Sequence, residues 1–152
     1  MELEELKNLP VHTISEDNCI LFMWVTFPML QEGLDVIKAW GFRYRTLGFS
    51  WIKKNSDSTT FIGTGYYTRA NCEVCLISTK GTVASLVKDH SIPSVVTTET
   101  KDHSEKPHKV RELIVKLLGD LPRIELFARH KIVGWDQWGN EVPDVKPLEL
   151  FG

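Results

Sequence analysis

No stretch of this sequence is apolar enough to cross a bilayer. The longest uninterrupted apolar run is Cys19–Val25 (CILFMWV), far short of the roughly 20 residues a spanning helix needs, so no membrane association is expected. Cysteines are few and odd in number, three in all, which argues against a disulfide framework and for a reducing, cytoplasmic setting. The opening residues carry Glu2, Glu4 and Glu5 with no long apolar segment behind them, unlike a secretory signal. A dominant charge of one sign is also missing, since 18 Lys+Arg against 20 Asp+Glu leave a net charge of -2. That excludes a global electrostatic pull on DNA or RNA and leaves local basic patches for such a role. Internal repeats and low-complexity segments are lacking, as are a GxSxG elbow and a Walker lysine, so neither a hydrolase nucleophile nor a P-loop is expected.

What is present is an ordinary soluble composition, 42% apolar and 25% charged over 152 residues. That is one domain's length, with room for a real core. Leu3, Leu6 and Leu9 line one side of a short helix ended by Pro10. Cys19–Val25 reads as a strand buried on both faces. A helix is expected from about Thr26–Pro28, with Leu30, Leu34 and Ile37 on its apolar face and Gly41 as its stop. Further strands are expected at 44–52, 73–79 and, briefly, 94–98, with a polar, Gly-rich loop over 55–70. The stripe Val110, Leu113, Ile114, Leu117 and Leu118 predicts a helix from about Lys106 to Leu118, with Pro107 in its first turn and Gly119 at its end. RIELFA (123–128) reads as the fourth main strand. Strands alternating with helices predict an α/β fold with a parallel sheet.

Several side chains invite chemistry and also have plainer readings. Cys72 and Cys75 form one CxxC, but a strand points them to opposite faces, and His90, His103 and His108 match no zinc spacing. No metal is expected. Gly63-Thr64-Gly65 lacks the rest of a phosphate-cradling motif and reads better as part of a substrate loop. Lys53, Lys54, Arg43 and Arg45 suit either phosphate contacts or a solvated strand face. Trp135 and Trp138 suit either core cover or a base platform. Asp136 and Asp144 have no His or Ser companion for acid–base work. Lys106 stands at a helix start, where a cation is slightly unfavourable for the dipole, so it is either a solvated surface lysine or held there by something else.

Four segments, in order and at matching spacing, carry a family resemblance: LFMWVT (21–26), WIKKN with GTGYYTRANCEVCL (51–76), HSEKP (103–107) and IELFARHKIVGWDQWGNEV (124–142). Together they resemble the S-adenosylmethionine-dependent N(6)-adenine methyltransferases named after the seventy-kilodalton MT-A subunit, of bacterial or phage type. The likeness runs from about residue 3 to 142 of a single 1–152 domain. It implies a Rossmann-like methyltransferase sheet in permuted order, with the catalytic motif first and the cofactor strand last. It implies S-adenosylmethionine as cofactor, with Lys106, Glu125, Phe127, Arg129, Asn140 and Glu141 around it; in some relatives the last pair is Asn-Gln. Taken alone, Glu125, Phe127 and Arg129 are also a charged strand end over a core aromatic. The resemblance places Trp24, Tyr66, Tyr67, Asn71 and Glu73 on the side that receives the target nucleotide of DNA or RNA. The residue types suit these tasks: carboxylates accept from ribose hydroxyls or an ammonium, Lys106 and Arg129 pair with a carboxylate, and aromatic faces stack a splayed base.

One part of the family pattern is missing. The catalytic Asp-Pro-Pro-Trp tetrapeptide does not occur, and no proline in the chain follows an aspartate. The strand that carries that motif is expected to be missing from the middle of the sheet, and no catalytic residue is assigned. The chain is therefore expected to be inactive alone. Three roles fit: one part of a split or truncated methyltransferase, a non-catalytic nucleic-acid-binding or regulatory partner of an intact methyltransferase, or a structural remnant that forms a homodimer to cover the gap.

Overall fold

The computed structural model describes residues 1–100 and 105–141. His103, Ser104 and Val142 of the segments above, and Asp144, lie outside them. The elements are α1 (Leu3–Lys7), β1 (Cys19–Val25), α2 (Leu30–Ala39), β2 (Arg43–Lys54), β3 (Glu73–Lys80), β4 (Val95–Glu99), α3 (His108–Leu118), β5 (Ile124–Leu126) and β6 (Asp136–Trp138). No helix among the described residues is long and apolar enough to cross a membrane.

A mixed sheet of order β1-β3-β2-β4 forms the body. It corrects the expected parallel sheet: β3 is antiparallel to both β1 and β2, and only β2 and β4 pair in parallel. The reason lies in the connection. No helix stands between β2 and β3, and without a helical crossover the chain returns antiparallel. Part of the expected parallel arrangement is kept. β1 and β2, joined through α2, run in the same direction, but β3 is inserted between them. A second correction concerns the last strand. Only Ile124–Leu126 is extended, and it pairs in parallel with β6 in a separate two-stranded sheet. Phe127 adopts a positive φ of 59°, a left-handed conformation that cannot continue a strand.

The helices begin slightly later than their sequence pattern predicts. Phe27–Met29 is a single tight 3₁₀ turn before α2, and Pro107 caps α3 instead of lying in its first turn. The C-terminus of α2 is closed by a Schellman arrangement. Phe42 N–H donates to the Ile37 carbonyl and Gly41 N–H to that of Lys38, each at 3.0 Å, and Gly41 takes the φ of +87° that this reversal requires.

Two apolar layers sandwich the sheet. On one side Val36, Ile37 and Trp40 of the α2 region meet Val11, Phe42, Val74 and Leu76. On the other, Val110, Leu113, Ile114 and Leu118 of α3 meet Phe49, Cys75 and Val96. Successive β3 residues alternate between the two layers, as a strand's period of two demands. The five-residue α1 is too short to hold by itself; the Trp40 indole N–H donates to the Leu6 carbonyl at 2.8 Å and fastens it to α2. Ile37 is 1% exposed, so Ile37→Ala is expected to lower the unfolding free energy by about 2–5 kcal/mol. Urea denaturation checks this, and a loss under ~1 kcal/mol would contradict the packing described.

Candidate functional site

A cleft of about 840 Å³ opens beside β1. Its walls include consecutive residues Cys19 to Trp24, then Lys106, Val110, Arg111 and Ile114, then the run from Ile124 to His130. Side chains of a strand alternate between faces, so six consecutive residues can line one cleft only along the strand's edge. β1 stands at the end of its sheet and pairs with β3 alone among the described residues. Its second edge therefore faces the cleft, with β5 on the far wall.

Two of the lining residues, Trp24 and Lys106, belong to a cluster around Glu73, the first residue of β3. Its carboxylate pairs with Lys53 of β2 at 3.1 Å and, in a very short contact, with Lys106 just ahead of α3. The Glu73 side chain is 15% exposed. Burial raises its pKa, but hydrogen bonds and charge from Lys106 and then Lys53 outweigh that and hold the carboxyl below its ordinary range. Aromatic faces flank the ions. Lys106 Nζ lies 5.6 Å from the Trp24 ring and Lys53 Nζ 5.0 Å from the Trp51 ring. The two indoles meet edge-on at 6.1 Å. Strand alternation puts Trp51 and Lys53 on the same face, two residues apart.

The second wall is held by other pairs. Arg111 of α3 grips Glu125 of β5 side-on, its Nη2 donating to the two carboxylate oxygens at 2.9 and 3.1 Å and its Nε to one of them at 3.1 Å. Arg129 Nε donates to Glu141 at 3.0 Å. Phe127, half-exposed, packs edge-on against Trp138 at 5.3 Å. The Ala128 N–H donates to the Trp138 carbonyl at 3.0 Å, tying the end of β5 to β6. Asn140 is exposed just beyond. A positive φ at a bulky residue is a strained state that surrounding structure must enforce, and such states concentrate at ligand sites.

The structure thus brings together Trp24, Glu73 and Lys106 at one wall and Glu125, Phe127, Arg129 and Glu141 on the β5–β6 unit. It does not bring Tyr66 and Tyr67 to them, because both stand at the tip of the 55–72 loop. Asn71 lies at the base of that loop. Its side-chain oxygen accepts from Lys53 N–H at 2.8 Å, and its amide donates to the carbonyls of Phe61 at 2.6 Å and Lys53 at 3.2 Å. Arg111 and Trp51 are additions that sequence reasoning missed. Trp51 was within reach through its two-residue spacing from Lys53; Arg111 sits beside the apolar stripe of α3 and carries no local signal. Burial pushes the Cys75 thiol up to about 12 against the opposing charge of Lys106, so this thiol is unreactive at neutral pH. No group of three or more His, Cys, Asp or Glu among the described residues is placed to hold a metal.

The cleft's chemistry suits a zwitterionic, sugar-bearing cofactor. It offers paired cations and carboxylates in ion pairs that can exchange partners, half-exposed aromatic faces, and a volume within the range of small-molecule sites. The glutamate pairing has a pH consequence. A carboxyl whose folded pKa is depressed contributes stability above its unfolded value of about 4.3 and loses it as pH falls through the folded value. The stability difference between wild type and Glu73→Gln, from urea denaturation between neutral and acidic pH, should be largest at neutral pH. It should close as pH drops below about 4.3; a difference independent of pH would mean the charge contributes nothing.

The MT-A70 family model matches residues 1–141. The chain is 38% identical over 146 residues to the type II methyltransferase M.MunI of a Mycoplasma species, a match covering 96% of this chain and 60% of that protein. It is 29% identical over 153 residues to a Drosophila melanogaster N(6)-adenosine-methyltransferase MT-A70-like protein, covering 98% of this chain and 25% of the relative. It is 26% identical over 150 residues to the human N(6)-adenosine-methyltransferase catalytic subunit METTL3, covering 96% and 25%. The chain therefore spans 60% of the bacterial relative and about a quarter of the eukaryotic ones.

Proposed function

Because the chain belongs to the MT-A70 family of N(6)-adenine methyltransferases, we propose that it is the cofactor- and substrate-binding part of an enzyme methylating the 6-amino group of adenine in nucleic acid. The supporting observation is the single cleft lined by Trp24, Lys106, Arg111, Glu125, Phe127 and Arg129, in which Lys106 is paired with Glu73 and Arg111 with Glu125. S-adenosylmethionine supplies an electrophilic methyl when bound. Lys106 and Arg129 suit its carboxylate, while Glu125, steadied by Arg111, and Glu141 suit its ribose hydroxyls or ammonium. Asn140 adds a polar contact beside Glu141, and Phe127 offers an aromatic face. Trp24 and Glu73 face the acceptor side. Asn71 acts there by holding the loop that carries Tyr66 and Tyr67.

The reaction also needs an acceptor for the adenine amine, whose lone pair is delocalised into the ring, and this chain carries no Asp-Pro-Pro-Trp to provide it. The open edge of β1 faces β5 across the cleft. An extended segment bearing that tetrapeptide, paired along this edge, would join the two sheets into one permuted Rossmann-like sheet within a single methyltransferase domain. On this reading the chain binds cofactor but does not turn over alone. The same open edge supports a second reading, in which the chain is a non-catalytic partner of an intact methyltransferase.

Calorimetric titration of the full chain with S-adenosylmethionine tests the proposal. Binding is expected, and Arg129→Ala should weaken it by about tenfold or more, the usual loss for a charged hydrogen bond of ~1.5–3 kcal/mol. No detectable heat of binding, or an unchanged affinity in the variant, would remove the cofactor assignment.

A further inference from the structure

The loop between β2 and β3 is closed on itself by hydrogen bonds into an arm. Its base is closed by the three Asn71 hydrogen bonds already described and by a bridge between Lys54 and Thr60. Farther out, Gly63 N–H donates to the Ala70 carbonyl at 2.8 Å and Ala70 N–H to that of Thr64 at 3.2 Å. The chain doubles back so tightly that a Cβ at Gly63 would lie 2.3 Å from the Ala70 carbonyl oxygen, and one at Gly65 2.1 Å from that of Thr68. These two glycines thus have a role that phosphate cradling does not describe: they let the tip close.

What the closed tip presents is Tyr66 and Tyr67, with relative exposures of 104% and 101%. Adjacent aromatic side chains held wholly in water on an ordered hairpin bury nothing within their own fold. From Lys54 to Cys72 the charged residues are Lys54 and Arg69 and one carboxylate, Asp57, which its own neighbour Thr59 already engages. In a chain of net charge -2 this segment has a net positive charge beside two exposed aromatic rings. The arm is also continuous with the site, since Lys53 and Glu73 stand at its two roots.

An enzyme that acts on a base must take it out of the stack, and the duplex is left with a gap. We infer that the arm enters this gap, with Tyr66 and Tyr67 stacking in place of the extruded adenine and Lys54 and Arg69 following the flanking phosphates. The inference rests on the nucleic-acid reading of the cleft and extends it by naming the substrate form: a duplex opened at one nucleotide. A docked protein is the rival occupant. The phenolic tips and the cationic flank favour the nucleic acid, because phosphates complement the flank and every base offers a face to stack.

Fluorescence anisotropy with the full chain tests this. The probes are labelled oligonucleotides of one sequence, as intact duplex, as duplex with a single abasic site and as single strand, each made in DNA and in RNA. Wild type should bind the abasic duplex about tenfold more tightly than the intact one. Tyr66→Ala/Tyr67→Ala should erase that preference, Tyr66→Phe/Tyr67→Phe should restore it, and unchanged melting temperatures should confirm that all fold. The polymer showing the preference identifies the substrate. An equal loss on every probe, no preference in wild type, or no nucleic-acid binding would each overturn the inference. So would a stable complex with an intact methyltransferase that the alanine pair alone abolishes in sedimentation. Cofactor calorimetry on the same preparations separates the two failures: heat of binding without an abasic preference sinks the arm and leaves the cleft, and no heat sinks the cleft.

Discussion

The structure depends on the double confinement of β3. This strand is hydrogen-bonded along both edges, to β1 and β2, and its successive residues face two different apolar layers. A strand enclosed on four sides has one register available, because a slip by one residue would exchange Val74 and Leu76 with Cys75 between layers. That fixed register places Glu73 where β3 leaves the core, beside Lys53 of the neighbouring strand. The charged cluster that Lys106 carries to the cleft is thus positioned by apolar packing.

Around that centre, charge is balanced locally. Glu73 takes two lysines, Glu125 takes Arg111, and Glu141 takes Arg129. Partly buried ions survive by pairing, and pairs that are only partly buried can trade one partner for a ligand of like charge. These three carboxylates meet four cations, so the net charge of -2 over the chain does not describe the local field. The arm between β2 and β3 carries Arg69 beside the two tyrosines.

Much of the fold was legible locally. The apolar run 19–25, the stripe of α2 ended by Gly41, the strand at 73–79 and the stripe of α3 ended by Gly119 all stand close to where periodicity and capping put them. The strand pairings were not legible. Two strands joined without a helix return antiparallel, and this converts the anticipated parallel sheet into a mixed one. The short β5 failed for a different reason: the left-handed backbone at Phe127 is a conformation no side-chain period announces.

Period, capping residues and motif order reach only a few positions along the chain, and at that range the sequence by itself determined most elements, the stops of α2 and α3, and the family. Who meets whom in the cleft was decided by the tertiary structure. Lys106 reaches Glu73 across 33 residues and Arg111 reaches Glu125 across 14. At such separations the chain itself imposes no pairing. The packing of α3 and the register of β3 choose the partner, and both are properties of the assembled core.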